Sequence, residues 1–250
     1  MKSFFCAFGS FGLYGLAVVR RLLTRGCNPR ELLVQMHRIG VESLTVVNLC
    51  AFSIGLVMVI QTAAMLARFN AETQLSGIIT ASFVREIGPV FAAIMFTGRT
   101  GTGIAAEIGS MVVTEQVDAY RVFGADPLVK LAVPRVLAMV LMLPALTAIA
   151  CVVGISSAFI ISVFDQGIPG QLFYEYAVSS LTLSDVLGCL LKAVCFGLLI
   201  GLIATHVGFQ TRRATEAVGS SATTAMVQGV LGVLLVDLIL TKTLLHVAGE

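Results

Sequence analysis

The sequence predicts an all-α integral membrane protein. It would comprise an interfacial amphipathic segment at 1–40, five transmembrane helices, and a short helix on the cytoplasmic side between the second and third spans. Three observations carry this prediction. Of the 250 residues 57% are hydrophobic and 12% charged, against about 25% charged in a soluble domain. Apolar runs long enough to cross about 30 Å of hydrocarbon recur along the chain. Lysine and arginine are distributed unevenly among the connections. No polar stretch is long enough for a soluble domain, and no basic run points to nucleic acid.

Residues 1–40 contain Gly9, Gly12 and Gly15, which weaken a spanning helix, followed by Arg20, Arg21 and Arg25, which suit lipid headgroups. No small-x-small site follows the apolar run as in a cleaved signal peptide. A spanning helix here is the alternative. The first span, 44–67, has 24 residues without a charge, and as a helix it would be about 36 Å long. Arg68, Asn70 and Glu72 then form an external loop. The second span, 78–113, is interrupted by Arg85, Glu86, Pro89 and Arg99. The polar stretch 114–130 leaves the bilayer, with a break between helices at Asp126-Pro127. The third span, 131–164, carries a kink at Pro144. Gly167, Pro169 and Gly170 place an external loop with room for a short helix near 165–180. The fourth span, 183–207, and the fifth, 217–240, are joined through Arg212-Arg213.

Five spans put the termini on opposite sides. Lys2, Arg20, Arg21, Arg25, Arg30 and Arg38 precede the first span. Arg99, Arg121, Lys130, Arg135, Arg212 and Arg213 lie in or near the second and fourth connections, against Arg68 and Lys242 on the other side. Positive residues favour the cytoplasm, so the N-terminus is cytoplasmic and the C-terminus external.

Cys6, Cys27, Cys50, Cys151, Cys189 and Cys195 show no CxxC spacing, and His37, His206 and His246 are far apart. Buried thiols are expected here, not a metal site. No catalytic constellation is visible. Gly98-Arg-Thr-Gly-Thr-Gly103 lacks the Lys-Ser/Thr of a phosphate loop. Its small residues are expected to serve helix packing, as are the pairs Ala105/Gly109 and Gly197/Gly201. If ATP is used, another chain must bind it.

Charges inside apolar sequence are costly and mark function or pairing. Adjacent Arg85 and Glu86 point about 100° apart on a helix. They would either neutralise charges such as Lys192 and Asp237 on neighbouring helices, or line a polar pocket on an amphiphile pathway. In the second case Arg85 or Lys192 could receive a phosphate. Met58, Thr62, Met65, Leu66 and Phe69 share a face near the outer end of the first span, suited to helix packing or to acyl chains. In 114–126, Glu115, Asp118 and Arg121 are spaced for one face, and Val117, Tyr120 and Phe123 for another. This is either a solvated link or a helix for docking into a groove on a cytoplasmic partner.

E-I-G-P at 86–89, G-R-T-G at 98–101, A-E-I-G at 106–109, T-E-Q-V-D-A at 114–119, D-P at 126–127 and P-R-V-L-A at 134–138 together resemble the MlaE family of ABC-transporter permeases. The likeness extends more weakly through F-S-I-G at 52–55 and A-V-G-S-S-A-T-T at 217–224. It implies a homodimer in the bacterial inner membrane, paired with a cytoplasmic ABC ATPase that binds ATP and Mg, and with a periplasmic MCE-domain protein. No cofactor is expected on this chain. The implied activity is phospholipid movement between the inner membrane and a path to the outer membrane, bearing on outer-membrane lipid asymmetry. By the same resemblance 114–126 is the coupling helix, with Glu115, Gln116, Asp118 and Arg121 toward the ATPase. Met58, Met65, Leu66, Phe69, Arg85, Glu86 and Lys192 become candidates for the lipid site. A non-transporting membrane anchor and an ion-coupled transporter using Arg85, Glu86, Lys192 and Asp237 are the alternatives.

Overall fold

The computed structural model describes residues 2–25, 28–69 and 71–248, and among these it contains helices and no strand. Cys27, Asn70 and the side chains of Lys2, Cys6, Arg25 and Glu72 lie outside the described residues. Five helical runs are long and apolar enough to span a membrane: Pro29–Phe69, Leu75–Val113, Leu128–Phe164, Leu183–Phe209 and Glu216–Leu244.

Helix α1 (Lys2–Arg25) precedes the first run. That run is built from α2 (Pro29–Met36), a π-helical turn at His37–Val41 and α3 (Glu42–Leu66). Asn28 starts it, its side chain accepting from the Arg30 backbone N–H, with Pro29 at the first position where its missing donor costs nothing. Residues 29–40 therefore continue into the first spanning helix, whereas the expected interfacial segment reached residue 40. The second run comprises α4 (Leu75–Ser82), a π turn at Phe83–Ile87, α5 (Gly88–Phe96), a π turn at Thr97–Gly101 and α6 (Thr102–Val113). A short helix, α7 (Gln116–Val122), follows. It is shorter than the expected 114–126 because Glu115 adopts a left-handed conformation (φ 58°) and Phe123 ends the helix. After a further π turn at Leu128–Ala132 come α8 (Val133–Phe164), α9 (Gly170–Ser179), α10 (Leu183–Phe209) and α11 (Glu216–Ala248).

The chain clusters into two compact units. The first comprises Met1–Ser43, Phe96–Met142 and Cys195–Leu235. Its core joins Val18 of α1 to Ala132, Val133 and Val136, and Ala105 to Ile203, Val207 and Ala225. Gly197 and Gly201 let α10 lie on α8: a Cβ on Gly197 would stand 2.7 Å from the Met139 carbonyl oxygen. The 98–103 glycines do not pack this way, since Gly103 has open space around it and Gly98 and Gly101 meet only ordinary contacts. The close approach at that turn comes from Thr97, whose methyl lies 2.6 Å from where a Cβ on Gly229 would stand.

The second unit comprises Leu44–Met95, Leu143–Val194 and Val236–Glu250. Its core joins Val47, Ala51, Phe83, Val84, Ala92, Ala150, Cys151 and Cys189, and a further cluster packs α9 on α4 through Phe173, Ala177, Leu75 and Ile79. Helices α3 and α8 touch at Gly55 and Gly154, where a Cβ on Gly55 would fall well under 3.0 Å from the Gly154 carbonyl oxygen.

Candidate functional site

Pro89 sets the geometry of the E-I-G-P stretch. It has no N–H to donate to the Arg85 carbonyl four residues back, so that carbonyl loses its helical partner. The π turn accommodates the defect, with Gly88 N–H donating to Phe83 O. Lys192 of α10 supplies the missing donor: its Nζ donates to the Arg85 carbonyl at 3.0 Å. The same ammonium donates to Glu86 Oε2 at 2.7 Å and to Thr241 Oγ1 at 2.7 Å, and lies 3.2 Å from Asp237 Oδ1. Thr241 in turn donates to Glu86 Oε1 at 3.1 Å. Gly88 is required because a Cβ there would overlap Cys151 Sγ.

Lys192 is only 2% exposed and its three donors are occupied. A phosphate could reach it only by displacing one of these partners. Arg85 is different. Its guanidinium is ion-paired with Asp185, Nη2 donating to Oδ2 at 3.3 Å and Nε lying 2.7 Å from Oδ1, and it stays 40% exposed. Of the candidate residues Arg85, Glu86 and Lys192, the structure joins the side chains of the last two directly, while Lys192 meets Arg85 only at its backbone carbonyl. Asp237 enters as expected from its position as the odd charge of the fifth span. Asp185 and Thr241 escape the sequence reading. Thr241 lies four residues from Asp237 and so shares its face, a readable signal. Asp185 sits at the start of α10, where an acid reads as an ordinary helix-terminal residue.

On α3 Met65 is well exposed and Met58 and Leu66 are half-buried, and Phe69, in the 3-10 turn that follows at Ala67–Phe69, is well exposed too. The spans containing α3 and α11 are the least buried of the five. The apolar face that includes Met58 and Met65 therefore has room for a neighbour of some kind.

The third cluster surrounds α7. Val117 is buried and anchors it. Asp118 is held on both oxygens, by Arg121 Nη1 at 2.8 Å and Arg213 Nη2 at 2.6 Å, and Arg213 Nη1 also lies 3.5 Å from Glu115. Gln116 is exposed, and Val122 and Phe123 are 84% and 86% exposed at the helix end. A cavity of about 560 Å³ opens beside α7, lined by Arg21, Val117, Asp118, Arg121, Asp126 and Arg213 among others. Arg21 pairs with Asp126 across it at 2.5 Å. Tyr14 borders the same cavity, and burial pushes its phenol up to about 12. Nearby, Glu107 of the A-E-I-G stretch accepts from buried Arg135 at 2.9 Å and from Arg38 at 3.1 Å, tying that motif to P-R-V-L-A.

These features define a multi-pass helical membrane protein with compensated charges inside its spans and one short helix presented at its surface. The family described as permease MlaE matches residues 32–243. A probable ABC transporter permease of Synechocystis sp. is 35% identical over 93% of this chain and 89% of its own length. One from Rickettsia felis is 32% identical over 94% and 90%. The chloroplastic protein trigalactosyldiacylglycerol 1 of Arabidopsis thaliana is 34% identical over 93% of this chain and 67% of its own. The chain belongs to the MlaE permease family, and membership of an ABC permease family implies a partner ATPase.

Proposed function

We propose that this chain is the permease subunit of an ABC-type lipid transporter, moving phospholipid between the inner membrane and a path to the outer membrane. It would act as a homodimer with a separate cytoplasmic ATPase, which binds ATP and Mg, and an external MCE-domain protein. The N-terminus would be cytoplasmic and the C-terminus periplasmic.

The observation that carries this reading is the presentation of α7. Its acidic residues are occupied by Arg213 and Arg121, while Val122 and Phe123 project with no cover. Two exposed apolar side chains at the end of a short helix suit a hydrophobic groove on a cytoplasmic partner. The sequence of this chain has no phosphate loop of its own. The lipid in the name of the Arabidopsis relative supports a lipid substrate. The exposed Met65 and Phe69 suit acyl chains, and the partly exposed Arg85 suits a headgroup phosphate.

The test is reconstitution with the cognate ATPase in vesicles carrying labelled phospholipid. ATP-dependent lipid transfer is expected. Phe123→Asp should abolish co-purification of the ATPase while the permease still folds. Transfer that follows a proton gradient and ignores ATP would instead favour the ion-coupled reading. Stable assembly with no transfer would favour a membrane anchor.

A further inference from the structure

The acidic side of α7 faces another part of its own chain, the connection at 210–215 between α10 and α11. Arg213 in that connection clasps Asp118 at 2.6 Å and reaches Glu115 at 3.5 Å. Two residues earlier, Thr211 is buried and its Oγ1 shares a 2.7 Å hydrogen bond with Ser221 in the second turn of α11. The same oxygen seats over Gly109 of α6, where a Cβ would stand 2.8 Å from it. Asp118 is thus joined to α11 by a short series of contacts: carboxylate to guanidinium, three residues of backbone, hydroxyl to hydroxyl. The cavity of about 560 Å³ lies beside α7 and is lined by Asp118 and Arg213 themselves.

We infer that Arg213 is a positioning residue through which displacement of α7 is passed to α11, so that the 210–215 connection forms the second half of the coupling device. The inference rests on the proposed ABC-permease function. Arginine suits this role because its planar fork can hold two carboxylates in a fixed orientation, which a single ammonium cannot. Glu115 in its left-handed conformation turns the chain so that its carboxylate and that of Asp118 both meet the fork. A backbone conformation that ordinary residues avoid marks a place where the surroundings dictate the geometry.

The experiment uses the full chain in complex with its ATPase, in phospholipid vesicles, with two readouts. One is labelled phospholipid moved per ATP hydrolysed. The other is the nucleotide-dependent change in amide exchange along α11, which reports transmission whatever the substrate proves to be. Arg213→Ala should leave the ATPase bound and hydrolysing, while lipid moved per ATP drops about tenfold, the size expected of an ordinary coupling between sites. Arg213→Lys should recover part of the loss. Gly109→Ala, which leaves the ion pair intact and pushes Thr211 away, should reproduce it. In both loss variants the exchange response of α11 to nucleotide should vanish. If that response persists in both, the inference is overturned. Release of the ATPase by Arg213→Ala would also overturn it, making Arg213 a docking residue. A wild-type complex whose α11 responds to nucleotide while no lipid moves would support the link and sink the lipid reading.

Discussion

An ammonium group as buried as that of Lys192 forfeits several kcal/mol of hydration unless its surroundings replace what water gave. Here the replacement comes from a carbonyl orphaned by Pro89, the carboxylates of Glu86 and Asp237, and the Thr241 hydroxyl. The opposite charges are present because the cation is, and the arrangement fails if only one member leaves. Lys192→Met is therefore expected to strand Glu86 beside Asp237 and leave the Arg85 carbonyl without its donor. The loss should fall below the about 3–5 kcal/mol of a fully buried pair, on the order of 2 kcal/mol, because Glu86 is 42% exposed and keeps part of its solvation. It would be read as a lowered melting temperature in detergent. Adding Glu86→Gln and Asp237→Asn to Lys192→Met should restore most of it, since a neutral set carries no stranded charge. A single variant as stable as wild type would show that water already reaches the cluster.

Among the helices the tightest constraint is backbone against backbone. Where α3 crosses α8, a methyl on Gly55 would overlap both the Gly154 carbonyl oxygen and Ser157 Oγ. A carbonyl inside a helix cannot rotate away, so Gly55→Ala must part the helices, at about 1–3 kcal/mol for an overpacked core. Gly103→Ala is the matched control: nothing lies within 4 Å, and alanine should stabilise α6 by about 0.5–1 kcal/mol through its better helix propensity. Equal melting temperatures for the two variants would contradict the assigned crossing. The elements themselves were largely legible in the sequence. Charge-free 44–67 could only be a membrane helix, and the odd charges Lys192 and Asp237 announced partners. Helix limits were less so, for one physical reason. The π turns at His37–Val41 and Phe83–Ile87 carry helices through polar stretches that composition reads as interruptions. Asp185, 100 residues from Arg85, and Arg213, 95 from Asp118, form pairs that no local pattern contains. The glycine run at 98–103 misled in the opposite sense, since its small residues looked like a packing face and Thr97 makes the close contact instead.

Across the whole molecule, apolar surface left on the spans must meet either bulk lipid, a second copy of the chain or cargo. Those three neighbours respond differently to the partner ATPase, and α3 allows the comparison on a single helix. Met65 is 65% exposed and Ile60 is 53% exposed, and at 100° per residue they point about 140° apart. They lie within about 8 Å of one another along the axis, so bilayer depth does not separate them. A photoreactive side chain at Ile60 is expected to capture lipid, or the same chain, at a yield indifferent to nucleotide. If the proposed lipid cavity lies on this face, one at Met65, on the side of α3 that carries Met58, should capture phospholipid at a yield that changes when ATP binds the partner, because such a cavity would fill and empty with the cycle. Binding that shifts a two-state equilibrium must favour one state by its differential affinity, so nucleotide dependence at Met65 alone is the mark of a cavity and not of mere exposure. The same yield at both positions, with and without nucleotide, would remove α3 from the proposed lipid path. Lipid contact would then be sought on α11, the least buried span of the five.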